Sequence, residues 1–97
     1  MVITKSENGN EVVLKLSGCL DTAATPEFAA AIEGTAGAAA LLLDMTELEF
    51  IASSALRTLV AEKKKRGASF VIAITGMNEV VREVFEVTGL DEVFEVR

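Results

Sequence analysis

With 97 residues, the chain has interior enough for one hydrophobic core, and a single domain spanning residues 1–97 is expected. A formal charge of −6 excludes the basic face that nucleic-acid phosphates demand, so no direct nucleic-acid contact is expected. No apolar stretch approaches a membrane span, the N-terminus does not read as a secretory leader, and lone Cys19 lacks an internal disulfide partner, so a cytoplasmic setting without membrane insertion is expected.

In chain order, Val2 to Lys5 and Val12 to Ser17 read as strands flanking Glu7-Asn8-Gly9-Asn10, whose Asn-Gly pair predicts a hairpin turn. Val12, Leu14 and Leu16 alternate with Val13, Lys15 and Ser17, the pattern of a strand covered mainly on one side. Thr25 is then a candidate N-cap and Pro26 a first helical residue. Phe28, Ala31, Ile32 and Thr35 form the helix's buried stripe, and Gly37 is its candidate stop. Ala40 to Leu43 reads as a strand buried on both faces that ends at Asp44, with Met45 to Ile51 as a loop. Ser53 or Ser54 caps the next helix, whose core face is Leu56, Leu59 and Val60. Lys63 to Arg66 lies in its last turn, expected as a solvated helix end, and Gly67 closes it. Phe70 to Ile74 is another buried strand. Asn78 caps a third helix through Val81, Val84, Phe85 and Thr88, which Gly89 stops, and Val93 to Val96 is a final edge strand. The order β-β-α-β-α-β-α-β predicts an α/β fold: a mixed, mostly parallel sheet with an antiparallel N-terminal hairpin and three main helices.

No histidine is present, which rules out Ser-His-Asp and Cys-His catalysis. One cysteine and scattered carboxylates make no metal site, and there is neither a Walker A sequence nor a G-x-G-x-x-G turn. No catalytic residue, cofactor or metal is therefore expected. The informative segment is Glu49-Phe50-Ile51-Ala52-Ser53-Ser54-Ala55-Leu56-Arg57, which sets two hydroxyls where a loop meets a helix. Two readings stand side by side. One serine is an ordinary cap, or a hydroxyl at the helix start is a phosphorylation site, where a phosphate adds about −1.5 to −2 charges beside the first-turn N–H groups. Asp21 and Thr22 divide in the same way between turn and interface, as does Asp44. Cys19 reads as a small, partly buried side chain, and Phe85 and Leu90 as packing around the final helix stop.

Gly18-Cys19-Leu20-Asp21, Leu42-Leu43-Asp44-Met45, the double serine and Gly89-Leu90-Asp91-Glu92-Val93-Phe94 occur in that order. The set resembles, over the full chain, the STAS domain of anti-sigma factor antagonists. In that family the phosphorylated serine lies in a motif such as Asp-Ser-Ser-Gly-Leu. Placing Leu56 on the motif's leucine puts the phosphoacceptor at Ser53, with Ala52 in place of the preceding polar residue and Ala55 in place of glycine. The alanine methyl is expected to favour the helix while narrowing a partner's backbone approach. The resemblance implies a partner switch: the protein binds an anti-sigma factor that is also a serine kinase, is released when Ser53 is phosphorylated, and is restored by a serine phosphatase. Asp21, Thr22, Asp44, Ala52, Ser53, Ser54 and Arg57 are the implied partner-binding residues. Free in solution, a small acidic domain is by default a monomer. The alternative is a phosphorylation-independent STAS interaction or scaffold subunit of a signalling or membrane transport assembly, which Ala52 and Ala55 keep open.

Overall fold

The computed structural model describes residues 1–97. Strands β1 (Val2–Asn8) and β2 (Glu11–Leu20) form the hairpin; α1 (Thr25–Glu33), β3 (Ala40–Ile51), α2 (Ser53–Arg66), β4 (Val71–Thr75) and α3 (Glu79–Thr88) follow. A 3-10 turn, Leu90–Glu92, leads to the two-residue β5 (Glu95–Val96). The sheet order is β1-β2-β3-β4-β5, with β1 antiparallel to β2 and every later neighbour parallel. The predicted element order and sheet type are both present.

Each strand–helix–strand step moves one place in the same direction, so right-handed crossovers put all three helices on one face of the sheet. Burial follows that rule. Leu14 and Leu16 of β2, Leu41, Leu43 and Met45 of β3, and Ile72 and Ile74 of β4 point at the helices and are almost completely buried. They meet Phe28 and Ile32 of α1, Ala55, Leu56 and Leu59 of α2, and Val81 and Phe85 of α3 in one continuous core. Phe85 packs edge-on against Phe94, ring centres 6.2 Å apart.

The opposite face is open, which corrects the expectation of a β3 covered on both sides. Ala40 and Leu42 are only partly buried, and Lys15 pairs with Glu47 across this face at 2.9 Å. β3 is also far longer than expected. Its second half runs beside β2, pairing Glu47 with Ser17, Leu48 with Gly18 and Phe50 with Cys19, with register shifts after Lys15 and again after Gly18. Those bulges break the two-residue alternation, so buried positions step from Leu43 and Met45 to Leu48 and then Ile51. A strand whose period is interrupted reads as a loop.

Several ends differ as well. Ala24, not Thr25, occupies the N-cap position of α1, and Gly34, not Gly37, ends it. In the hairpin turn Gly9 takes positive φ (+66°) and its neighbour Asn8 does not. Cys19 is exposed rather than partly buried. Val71 is also exposed, and the last strand is shorter than expected. The third helix follows expectation: Asn78 accepts from the Val81 N–H at 2.8 Å and Gly89 takes the left-handed conformation.

The basic run at the end of α2 does not behave as one solvated strip. Lys64 and Lys65 are exposed, but Lys63 donates to the Phe70 carbonyl. Arg66 turns inward: its guanidinium donates to the Ile32 carbonyl (3.0 Å), the Thr35 carbonyl (3.1 Å) and the Thr35 hydroxyl (2.9 Å), all at the end of α1. It also pairs with Glu62 at 2.8 Å and lies 4.4 Å from the centre of the Phe70 ring. Its planar fork adds further donors to the turn that ends α1 and holds α2 against it.

Arg66→Ala leaves Glu62 charged and unpaired in a largely buried place, so urea unfolding is expected to show a loss of about 3 kcal/mol. Arg66→Lys keeps the charge but not the fork, and should recover only part of that loss.

Candidate functional site

β2 and β3 leave the sheet side by side. Leu20 is paired with Ile51, and the Ala52 N–H donates to the Leu20 carbonyl at 2.8 Å. The turn into α1 and the start of α2 are thereby brought together at the carboxyl edge of the strands, where open α/β sheets characteristically place their sites. Asp21, Thr22, Ala52, Ser53 and Ser54 gather here, and Arg57 follows one helical turn beyond Ser53.

Neither serine caps α2. Ala52 holds the N-cap position in extended conformation, with Ser53 and Ser54 as the first two helical residues. The methyl of Ala52 has no oxygen to offer, and the backbone N–H groups of Ser53 and Ser54 are left without an acceptor in the chain. This helix start therefore presents donors and the positive end of the dipole, an environment that favours an anion.

The two hydroxyls have different surroundings. Thr25 Oγ1 donates to the Asp21 carbonyl at 2.9 Å, which uses its one proton. Its 2.9 Å contact with Ser54 Oγ must then be Ser54 donating to Thr25. Ser54 is thus committed to a relay running through Thr25 to the backbone of Asp21. Ser53 is exposed and its hydroxyl has no partner in the chain. Of the two hydroxyls, only that of Ser53 is left free.

For Asp21 the turn reading is realised: its Oδ1 accepts from the Ala24 N–H at 2.9 Å and shapes the entry to α1. The side chain remains exposed, as does Thr22. Asp44 is not brought to this site. It lies on the sheet face away from the helices, seven residues before Ile51, which is roughly 20 Å along the strand. There its Oδ1 accepts from the Thr46 hydroxyl (2.6 Å) and the Thr46 N–H (3.0 Å), and these bonds hold its carboxyl below the usual range. Asp44 is a local turn acceptor. Ala55 also departs from expectation: its side chain is fully buried in the core, so the methyl faces inward rather than toward a partner.

Sequence reasoning missed two contributors. Thr25, a candidate cap by its sequence position, is instead the link between the two helix starts. Phe50, 44% exposed, lies beside Cys19 at the same strand edge; an exposed aromatic is a frequent interface anchor, but its place in a supposed loop concealed it. No group of metal-ligating residues is present, and no helix is long and apolar enough to cross a membrane.

Comparison with known proteins agrees with this architecture. The family model described as "Mlab, STAS domain" matches residues 3–96. The anti-sigma-F factor antagonist RsfB of Mycobacterium tuberculosis is 29% identical over 96 residues, covering 97% of this chain and 79% of that protein. An anti-sigma factor antagonist from Mycobacterium paratuberculosis superposes with a TM-score of 0.88 at 25% identity, covering 98% of this chain and 83% of the other. The Bacillus cell fate determinant SpoIIAA, solved in its phosphorylated form, shares the fold at 19% identity, with a TM-score of 0.73 over 99% of this chain and 91% of its own.

Two outcomes follow from the geometry. Ser54→Ala should cost about 1 kcal/mol in denaturant unfolding, and combining it with Thr25→Val should cost less than the sum of the two, because they share one bond. Thr46→Val should raise the Asp44 pKa toward its ordinary value in a carboxyl NMR titration. A depressed folded pKa stabilises above the unfolded pKa, and that stability is lost as pH falls through the folded one. The Thr46→Val deficit should therefore be present at neutral pH and shrink in acid, as Asp44 protonates.

Proposed function

Because the chain belongs to the STAS domain family, we propose that it is an anti-sigma factor antagonist: a single-domain cytoplasmic module, residues 1–97, that acts by binding rather than catalysis. Its partner is an anti-sigma factor with serine kinase activity, and binding that partner frees the sigma factor. The observation that carries this reading is the pairing of a free Ser53 hydroxyl with a helix start whose first N–H groups lack acceptors. The similarity to RsfB and to the Mycobacterium paratuberculosis antagonist supports it.

In the switching step, Ser53 Oγ attacks the γ-phosphorus of ATP held by the kinase. The Oγ–P bond forms, the bond from the γ-phosphorus to the bridging oxygen breaks, ADP leaves, and a kinase base takes the hydroxyl proton. The product carries a near-dianion one turn from Arg57 and beside unsatisfied N–H groups. It needs no refolding to be accommodated locally. A partner surface docked over Asp21, Thr22, Ala52, Ser53, Ser54 and Arg57 would have to desolvate that charge, and so dissociates. A serine phosphatase hydrolyses the ester and returns the hydroxyl. Asp44, on the other face, has no part in this surface.

A second reading has one specific observation in its favour. Ala52 supplies no polar group immediately before Ser53, at the place where the family's motif carries one. Under that reading the same edge is a constitutive docking surface in a signalling or transport assembly, and Ser53 is never modified.

Intact mass after incubation with the captured anti-sigma factor and ATP separates the two. One added phosphoryl group, absent in Ser53→Ala and retained in Ser54→Ala, is the expected result. Stable binding without mass change, with equal affinity for Ser53→Ala and Ser53→Asp, would replace the switch by the docking module.

A further inference from the structure

Along one side of α2 stand Ser53, Arg57, Val60 and Lys64, at i, i+4, i+7 and i+11, one stripe of an α-helix, with Val60 resting on the edge of the core. With Leu56, and with Leu90 just past α3, this stripe lines an open groove of about 440 Å³. Its charged residues are both cations, in a chain whose net charge is −6. Neither Arg57 nor Lys64 has an ion-pair partner, whereas Arg66 is committed to Glu62 and Lys63 to Phe70.

Next to the groove, α3 carries a second apolar stripe, of which only the middle residue rests against the core. Val80 is 56% exposed and Val87 80% exposed, with Val84 between them, at i, i+4 and i+7. Along one side of it run Glu79, Glu83 and Glu86, all exposed, at the same spacing. Thr88 borders both the groove and this apolar stripe, so the two features are contiguous. From one margin to the other the surface reads acidic row, valine stripe, groove, cationic row.

We propose that this surface is self-complementary and pairs two copies of the chain about a two-fold axis near Thr88. A two-fold axis that runs along the rows reverses their order, so the valine stripe of one copy enters the groove of the other and its glutamates meet the other's Arg57 and Lys64. The lengths agree: the cationic row from Arg57 to Lys64 and the acidic row from Glu79 through Glu83 to Glu86 each extend about 10 Å along a helix, so the two rows lie along one another. Each copy contributes the same contacts twice, and the default monomer gives way to a dimer as concentration rises. Ser53 lies at the rim of the paired groove. A phosphate on it would stand opposite the other copy's glutamates, so pairing and phosphorylation oppose each other. The pairing itself stands independently of the Ser53 reading.

Sedimentation equilibrium over a concentration series tests the pairing, with every substitution at an exposed position. Arg57→Glu or Glu83→Lys should weaken dimerisation about tenfold or more, and the Arg57→Glu/Glu83→Lys protein should recover most of it, since opposite charges face again. Lys65→Glu, the same charge change outside the groove, should have little effect. Val87→Ser should weaken pairing with little change of thermal midpoint at concentrations where both proteins are monomeric. A protein that is monomeric throughout the series, a Lys65→Glu effect equal to that of Arg57→Glu, or a doubly reversed protein no better than either single would each overturn the proposal. Failure of Ser53 phosphorylation would leave these results unchanged.

Discussion

Helix α2 is held at both ends, and the character of the functional edge depends on that. At its C-terminal end, the Arg66 guanidinium reaches across to the last carbonyls of α1 and to Thr35. At its N-terminal end, Ser54 donates to Thr25 in the first turn of α1. Between these points Ala55 and Leu59 are fully buried. A helix fixed in this way can neither slide nor roll, so the surface it offers at Ser53 is preorganised. A change of charge there alters what a partner meets without first having to overcome a rearrangement of the fold.

The two adjacent serines illustrate how neighbouring residues of one type divide the work. Consecutive helical positions point about 100° apart, which turns Ser54 toward α1 and Ser53 toward solvent. Ser54 is structural because its proton is committed; Ser53 is available because nothing in the chain takes it. Alanine at the cap position matters in the same context. A serine or aspartate at residue 52 is the kind of side chain that would satisfy a first-turn N–H. With Ala52 there, those donors have no side-chain acceptor.

Much of this was legible in the sequence. The element order, the hairpin, the Asn78 cap and the Gly89 stop all rest on local chemistry that a few residues declare by themselves. The Ser53 edge was legible through the ordered motifs. What escaped was non-local. The second half of β3 was read as a loop because bulges opposite Ser17 and Cys19 replace alternation by a three-residue step, and only its pairing with β2 identifies it. Arg66 reads with the lysines because helix-end cations are usually solvated, and the α1 carbonyl and Thr35 groups that draw it inward lie more than thirty residues away. Asp44 shared a motif with the site, yet strand alternation sends it to the opposite face. Motif membership specified the family; pairing decided which members of the motif meet.

The central claim is that one phosphoryl group on a rigid edge is sufficient to dissociate the partner. Calorimetric titration of the purified anti-sigma factor into the protein, once unmodified and once phosphorylated at Ser53, addresses it most directly. The account predicts tight binding to the unmodified form and a loss of at least about a hundredfold, roughly 3 kcal/mol, in the phosphorylated one. Equal affinities for the two forms would contradict it and leave the edge as a docking surface without a switch.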